Sequence, residues 1–267
     1  MGEVAGIYWR LIGSRVRSRF QYRASFAFQF VGTFLLSFMD FVVVLVLFSH
    51  LPHLDGWTLG EVAFLYGSSY VVFKIADVAV GNLDKIPELV RTGEFDGLLT
   101  RPLSSLGQVA VRDVDLHHIG GALQGALVFW FALAHVDIAW DPAKAVLLVA
   151  MLAGGLAIFV GVWIVTNALA FWIVDAREIA NSFTYGGNFL TTYPLQIFAT
   201  WMRRIFAFAI PMAFVNYLPA LRILDKPDPL GLPPVLGYLS LPVAGAVAVV
   251  AGGVWRTAVR HYRSTGS

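Results

Sequence analysis

The sequence predicts an all-α integral membrane protein: six transmembrane helices, an N-terminal amphipathic interfacial helix, and a re-entrant helical hairpin before the last span. Three observations lead there. Of the 267 residues, 58% are hydrophobic and 13% charged, with a mean hydropathy of +0.70, whereas soluble domains run at roughly 45–50% apolar and 25% charged. Whole runs are apolar all round, as lipid-facing helices must be, instead of alternating apolar and polar faces. Lys and Arg gather at the ends of those runs, so the net charge of +2 is a topology signal and not a nucleic-acid footprint. The absence of Cys excludes a disulfide framework, Cys-ligated zinc and thiol catalysis, and the N-terminus lacks the pattern of a removable signal peptide.

Residues Val4 to Arg23 set Arg10, Arg15, Arg17, Arg19 and Arg23 among Tyr8, Trp9, Leu11 and other apolar residues. The mixture suits a helix lying in the interface or a simple positive flank, and either puts the N-terminus in the cytoplasm. Ala24 to about Phe48 forms the first span, long enough for a ~30 Å hydrocarbon core, with Asp40 as its only formal charge. Ser49 to Gly60 carries Pro52, Asp55, Gly56 and Trp57 but no Lys or Arg, so it is external. Glu61 to Val80 returns to the cytoplasm as the second span, and Gly81 to Arg112 is the longest polar interruption of the chain.

Val114 to Ala134 is a weaker third span, interrupted near its start by Asp115, His117 and His118. His135 to Asp141 again lacks Lys and Arg and is external; Pro142 opens a fourth span ending near Val174, with Asp141 placed as its N-cap. Asp175 to Glu178 is a short inner turn before a fifth span from Ile179 to about Thr200.

Trp201 to Pro234 admits two readings. If Ile205 to Leu221 crosses completely, the last segment runs outward and leaves Arg256, Arg260 and Arg263 outside. If it is a hairpin broken at Pro211, with Arg203 and Arg204 external, six spans remain and the C-terminus is cytoplasmic. Pro211 and Pro219 both interrupt helical hydrogen bonding, and a ~17-residue piece broken in its middle is short for a crossing, so the hairpin is expected. Its non-helical turn has to be buried in protein or wet. The cytoplasmic side then holds about thirteen of the nineteen Lys and Arg residues, and the two short external loops hold none. Residues 1–267 form a single domain, with a cytoplasmic loop over 82–112 and the external hairpin and loop over 201–234.

No phosphate loop, H-E-x-x-H or G-x-S-x-G motif is present, so no catalytic or metal centre is expected. His117 and His118 are adjacent; on a helix they point about 100° apart and cannot share a metal on one face, which leaves them as polar residues at the membrane boundary. Lys74 and Asp77, three apart on the second span, share a face within roughly 10 Å of its inner end. They read as a local ion pair with Lys74 snorkelling inward, or as part of a translocation path. Asp40 sits roughly 24 Å up the first span and about 14 Å above Lys74, so it faces a cavity, another subunit or the external water, in a structural or a translocation role.

Within the long loop, Leu83, Ile86, Leu89 and Val90 are apolar while Asp84, Lys85, Glu88 and Arg91 are charged, the pattern of a short amphipathic helix. Pro87 makes it short or bent, and Gly93 is a natural stop. A solvated linker explains the charges but not the apolar spacing, which predicts docking onto a partner.

The order of these elements, with R-T-G-E-F-D-G-L-L-T-R-P-L (Arg91 to Leu103), Y-P-L-Q-I-F (Tyr193 to Phe198) and I-P-M-A-F-V-N-Y-L-P-A (Ile210 to Ala220), resembles the ABC type-2 exporter permeases. Among them it is similar to a bacterial branch carrying G-x-x-D-x-L-L-x-R-P-L, departing from the generic form with Phe95 inside G-E-F-D. The resemblance covers nearly the whole chain. It implies a multi-pass subunit of the bacterial inner membrane with both termini cytoplasmic, no cofactor of its own, and ATP and Mg on two separate ABC ATPase subunits. A second permease completes the complex as a homodimer or heterodimer. A coupling helix over about Asn82 to Arg91 would meet the ATPase through Asp84, Lys85, Glu88, Leu89 and Arg91. The external hairpin would span about Trp201 to Pro219, holding Arg203, Arg204, Pro211 and Pro219, and the cargo would be hydrophobic or amphipathic. The alternative, an ion-driven secondary transporter using Asp40, Lys74 and Asp77, calls for inverted halves that the sequence does not display; an intramembrane lipid-modifying enzyme calls for a nucleophile or metal set that it does not assemble.

Overall fold

The computed structural model describes residues 13, 23–113, 115–173, 176–205, 209–228 and 231–263. The interfacial helix expected over residues 4–23 lies outside the described residues, apart from Gly13 and Arg23. Among the described residues every regular element is helical; the one antiparallel bridge, Leu54 to Trp57, closes the tight turn before the second long helix.

Among the described residues the longest helices are α1 (Arg23–His50), α2 (Leu59–Val80), α4 (His118–His135), α5 (Pro142–Ala168), α6 (Ala176–Thr191) and α8 (Ser240–His261). Between them come the short α3 (Ile86–Arg91) in the long loop and α7 (Tyr217–Ile223) before the last helix. Among the described residues four stretches are long and apolar enough to cross a bilayer: Arg23–His50, Leu59–Arg91, Pro142–Phe171 and Ser240–His261. α4 has 18 residues with a His at each end, and α6 has 16 with a strongly polar face. At 1.5 Å per residue they reach about 27 and 24 Å.

Local chemistry explains the ends. α2 opens on a capping box: the Thr58 amide donates to Glu61 Oε2 at 2.8 Å and the Glu61 amide donates back to Thr58 Oγ1 at 3.4 Å. Asp141 caps α5 as expected, accepting the Lys144 amide at 2.7 Å with Pro142 in the first turn. α6 stops at Thr191, nine residues short of the expected Thr200, because Tyr193 precedes Pro194 and is steered out of the helical region.

Glycines set the helix spacing. A Cβ on Gly67 of α2 would lie 2.5 Å from the Phe129 amide nitrogen of α4, and one on Gly154 of α5 would lie 2.9 Å from the Ser240 carbonyl carbon of α8. At both places two backbones touch with no side chain between them.

The region before α8 differs from a plain transmembrane segment. The chain leaves helical geometry at Pro211, runs through a tight turn over Met212–Phe214 and enters α7. Met212, Ala213, Val215, Tyr217, Ala220 and Leu221 are each no more than 1% exposed, so the broken backbone is enclosed by protein, as physics requires of it. Pro211 is a break as expected. Pro219 is not: it falls in the first turn of α7, where the amide has no helical partner to lose, and it starts a helix instead of interrupting one.

Candidate functional site

The loop from Gly81 to Arg112 is folded onto the ends of the long helices. A tight turn over Gly81–Lys85 leads into α3, Pro87 sitting in its first turn, and Gly93 (φ +73°) ends it. Leu83 and Ile86 are 0% exposed and Leu89 5%. These apolar side chains pack into this chain's own core with Phe95 and Leu98. Their helical spacing therefore has an internal cause, and each stabilises the loop's attachment by about 1.5–3 kcal/mol. Phe95 meets Phe171 beyond α5 and Tyr262 beyond α8, with centroids 5.0 and 5.1 Å away. Burial, then the nearby Asp96 carboxylate, raises the Tyr262 hydroxyl above the ordinary tyrosine value. Asn82 Nδ2 donates to the carbonyls of Ala110 and Asp113, closing the loop at its neck.

Asp84 points inward. Its Oδ1 accepts from Trp163 Nε1 at 2.7 Å and Asn167 Nδ2 at 3.0 Å, and its Oδ2 accepts from Tyr185 Oη at 3.3 Å. One carboxylate in the loop thus grips α5 and α6 together. Above it Phe73, Trp163 and Tyr185 form an aromatic cluster, with centroids 5.3 to 5.6 Å apart, that joins those helices to α2. Lys85, Glu88 and Arg91 are exposed. Lys85 Nζ meets Asp113 Oδ2 at 3.1 Å, and Arg177 approaches Glu88 at 3.9 Å; exposed pairs of this kind contribute about 0–1 kcal/mol. Of the five residues expected on the coupling surface, Lys85, Glu88 and Arg91 face outward, while Asp84 and Leu89 face inward. A polar cavity of about 550 Å³ lies beside them, lined by Asp77, Asp84, Lys85, Glu88, His118 and Arg177 among others.

Lys74 and Asp77 pair as their spacing predicts, Nζ to Oδ2 at 3.5 Å, and the Lys74 ammonium also sits 5.6 and 5.3 Å from the Tyr70 and Phe73 ring centroids. Asp40 stays apart from this pair: it is exposed on α1 and its Oδ2 accepts from Tyr70 Oη at 3.3 Å. That hydroxyl also meets Ser37 Oγ at 3.0 Å.

The two histidines lie side by side at the start of α4: His117 is its N-cap, already with helical dihedrals (φ −66°, ψ −25°), and the two rings lie 4.0 Å apart. His117 Nδ1 is 2.5 Å from Asp115 Oδ1, and His118 Nδ1 is 3.0 Å from Asp77 Oδ2.

At the opposite end of the bundle two lysines are paired with carboxylates. Lys226 Nζ meets Glu61 Oε1 at 2.9 Å and the Gly56 carbonyl at 3.0 Å, over the Trp57 ring; Lys144 meets Asp225 at 2.5 Å. Arg203 donates to the Phe198 carbonyl at 2.8 Å, while Arg204 is exposed. Between the ends, the buried Asn216 Nδ2 donates to the carbonyls of Leu65 and Thr191 at 2.9 and 2.8 Å, hanging the segment before α7 from α2 and α6. Sequence reasoning passed over Trp163, Asn167, Tyr185 and Asn216. The signal for the first two was a polar-tipped pair at i and i+4 in an otherwise apolar span.

Residues 34–266 match the family described as ABC-2 family transporter protein. No curated protein and no solved structure matches the chain. With 34–266 covering most of its length, the chain belongs to the ABC-2 transporter family and is the membrane permease subunit that works with an ABC ATPase.

Proposed function

We propose that this permease is the transmembrane half of an ATP-driven exporter for a hydrophobic or amphipathic substrate, crossing the bacterial inner membrane six times with both termini cytoplasmic. ATP and Mg would bind two partner ATPase subunits, and a second permease, identical or related, would complete the pathway. The observation that carries the reading is the Asp84 clasp: a loop with an outward face of Lys85, Glu88 and Arg91 is fixed through one carboxylate to α5 and α6. A partner that moves the outer face moves two long helices with it. The Pro211 break, enclosed by protein before α8, supports a re-entrant hairpin. The shared end of the long loop, the Phe171 end of α5 and the Tyr262 end of α8 supports a C-terminus on the same side as that loop.

The ion-driven reading lacks a continuous relay. Lys74 is held by Asp77 and by ring faces, and Asp40 reaches the hydroxyl of Tyr70 but not Lys74.

The test is purification of the tagged chain from its native membrane and assay of the complex for ATP hydrolysis. Wild type should bring down an ATPase whose activity responds to the permease. The triple reversal Lys85→Glu, Glu88→Lys, Arg91→Glu should insert normally and lose that ATPase at least tenfold. Equal recovery and equal transport by the triple variant would remove the coupling assignment.

A further inference from the structure

We propose that Asp115, His117 and His118 form a binding site for a divalent cation of the Zn²⁺ class, where the long loop enters α4. One ligand atom from each of these three residues lies within 4.8 Å of the other two. All three side chains are half-buried, and the two imidazoles, tilted at 36° with centroids 4.0 Å apart, lie beside the carboxylate, His117 Nδ1 being 2.5 Å from Asp115 Oδ1. Two imidazoles and one carboxylate are the three-ligand set that leaves a fourth position open. Mixed nitrogen and oxygen donors suit Zn²⁺ or Co²⁺, whereas Mg²⁺ and Ca²⁺ prefer oxygen alone.

Asp77 supplies an independent observation. It is 5% exposed, and its Oδ2 is 3.0 Å from His118 Nδ1, yet both atoms are enclosed and neither makes a well-aligned hydrogen bond. Lys74, at 3.5 Å, gives this carboxylate a charge partner but does not satisfy the imidazole. A carboxylate hydrogen-bonded to one ring nitrogen is the common outer partner of a metal-binding His, fixing the tautomer and leaving the other nitrogen to the metal. A small turn of the His118 ring that aligned its Nδ1 with Asp77 would leave Nε2 as the ligand atom. A simple His117 to Asp115 contact accounts for one ring only and does not explain why the second lies beside it.

The site is reachable, since the cavity of about 550 Å³ is lined by Asp77, Asp115 and His118. Ligand atoms around a tetrahedral Zn²⁺ at about 2.0–2.1 Å stand about 3.3 Å apart, so the 2.5 Å contact between Asp115 and His117 must open by less than an ångström, while the remaining separations, all within 4.8 Å, settle to the same spacing. A bound cation would tie the segment entering α4 to the start of that helix, beside Asp77 of α2, and stiffen the joint between the loop and the membrane helices.

The experiment is a Zn²⁺ titration of the full chain in lipid nanodiscs, in competition with a chromophoric chelator, with Co²⁺ as a spectroscopic stand-in. Wild type should take up one Zn²⁺ per chain and give the visible absorption of four-coordinate Co²⁺. His117→Gln and Asp115→Asn, which leave the His118 to Asp77 contact in place, should each weaken Zn²⁺ at least tenfold and lose the Co²⁺ band. His135→Ala, at the far end of α4, should change neither. Absence of stoichiometric uptake by wild type overturns the site, as does uptake that persists undiminished in His117→Gln and Asp115→Asn.

Discussion

The Asp84 carboxylate accepts the indole N–H of Trp163 at 2.7 Å, which turns inward an acid that helical spacing groups with the outer charges of the coupling segment. The contact divides this segment by task. Lys85, Glu88 and Arg91 remain available to a partner, while Asp84, Leu83, Ile86 and Leu89 fasten the segment to the membrane helices. The two groups should fail differently when altered.

Asp84→Ala leaves the Trp163 and Asn167 donors without their acceptor inside the bundle. Losing such a partner costs about 1–3 kcal/mol, so the variant should unfold at a lower temperature in detergent. It should keep its ATPase partner, because the outer face is intact, and yet transport poorly. Glu88→Lys should do the reverse: unchanged thermal stability, since its contact with Arg177 is long and exposed, but weaker ATPase association. Differential scanning fluorimetry alongside co-purification separates the two outcomes, and identical behaviour of both variants would refute the division.

The α2 to α4 contact is the place to test helix packing. A Cβ on Gly67 would sit 2.5 Å from the Phe129 amide nitrogen, and backbone cannot rotate away as a side chain can. Gly67→Val should force the helices apart at a cost of at least about 1–3 kcal/mol, seen as lower yield and a lower melting temperature. Gly32→Val, on α1 where nothing lies within 4 Å of a built Cβ, should be tolerated. Equal stability of the two variants would show that the close approach is absent in the membrane.

Four of the expected spans were legible because bilayer thickness and charge placement act on the sequence directly: the expected first span, Ala24 to Phe48, falls inside α1 at Arg23–His50. The Lys74 to Asp77 pair was legible because both members lie on one helix at a fixed spacing. Contacts between helices were not. Trp163 meets Asp84 across 79 residues and Asn216 meets Leu65 across 151, and no local periodicity encodes which helix face meets which loop. The apolar spacing over Leu83 to Val90 was read as docking onto a partner, whereas Leu83, Ile86 and Leu89 are covered by this chain's own core; a stripe alone does not say whether its cover is a partner or the same chain.

Asn216 joins the segment before α7 to both α2 and α6 through the carbonyls of Leu65 and Thr191. Asn216→Leu keeps the volume but removes both donors: the Leu65 carbonyl retains the Ser68 hydroxyl at 3.1 Å, while the Thr191 carbonyl loses its side-chain partner at about 1–3 kcal/mol. The expected result is loosening confined to residues 211–223, read as faster amide exchange there with α2 and α5 unchanged. Uniform exchange across the chain would assign Asn216 to global stability instead.

The absence of native Cys makes single-Cys labelling a direct test of the hairpin. Thr100, Asp137 and Pro227 are all exposed, and they fall respectively in the long loop, between α4 and α5, and beyond α7. With six crossings and a re-entrant hairpin, a membrane-impermeant maleimide added to intact cells should label Asp137→Cys and Pro227→Cys, and Thr100→Cys only after lysis. If residues 205–221 cross completely instead, Pro227→Cys moves to the inside and is protected together with Thr100→Cys. The Lys226 to Glu61 contact argues for the first outcome. It holds the segment carrying Pro227 against the beginning of α2, the same end at which Gly60 meets Val136, next to Asp137, so Asp137 and Pro227 lie at one end of the helix bundle.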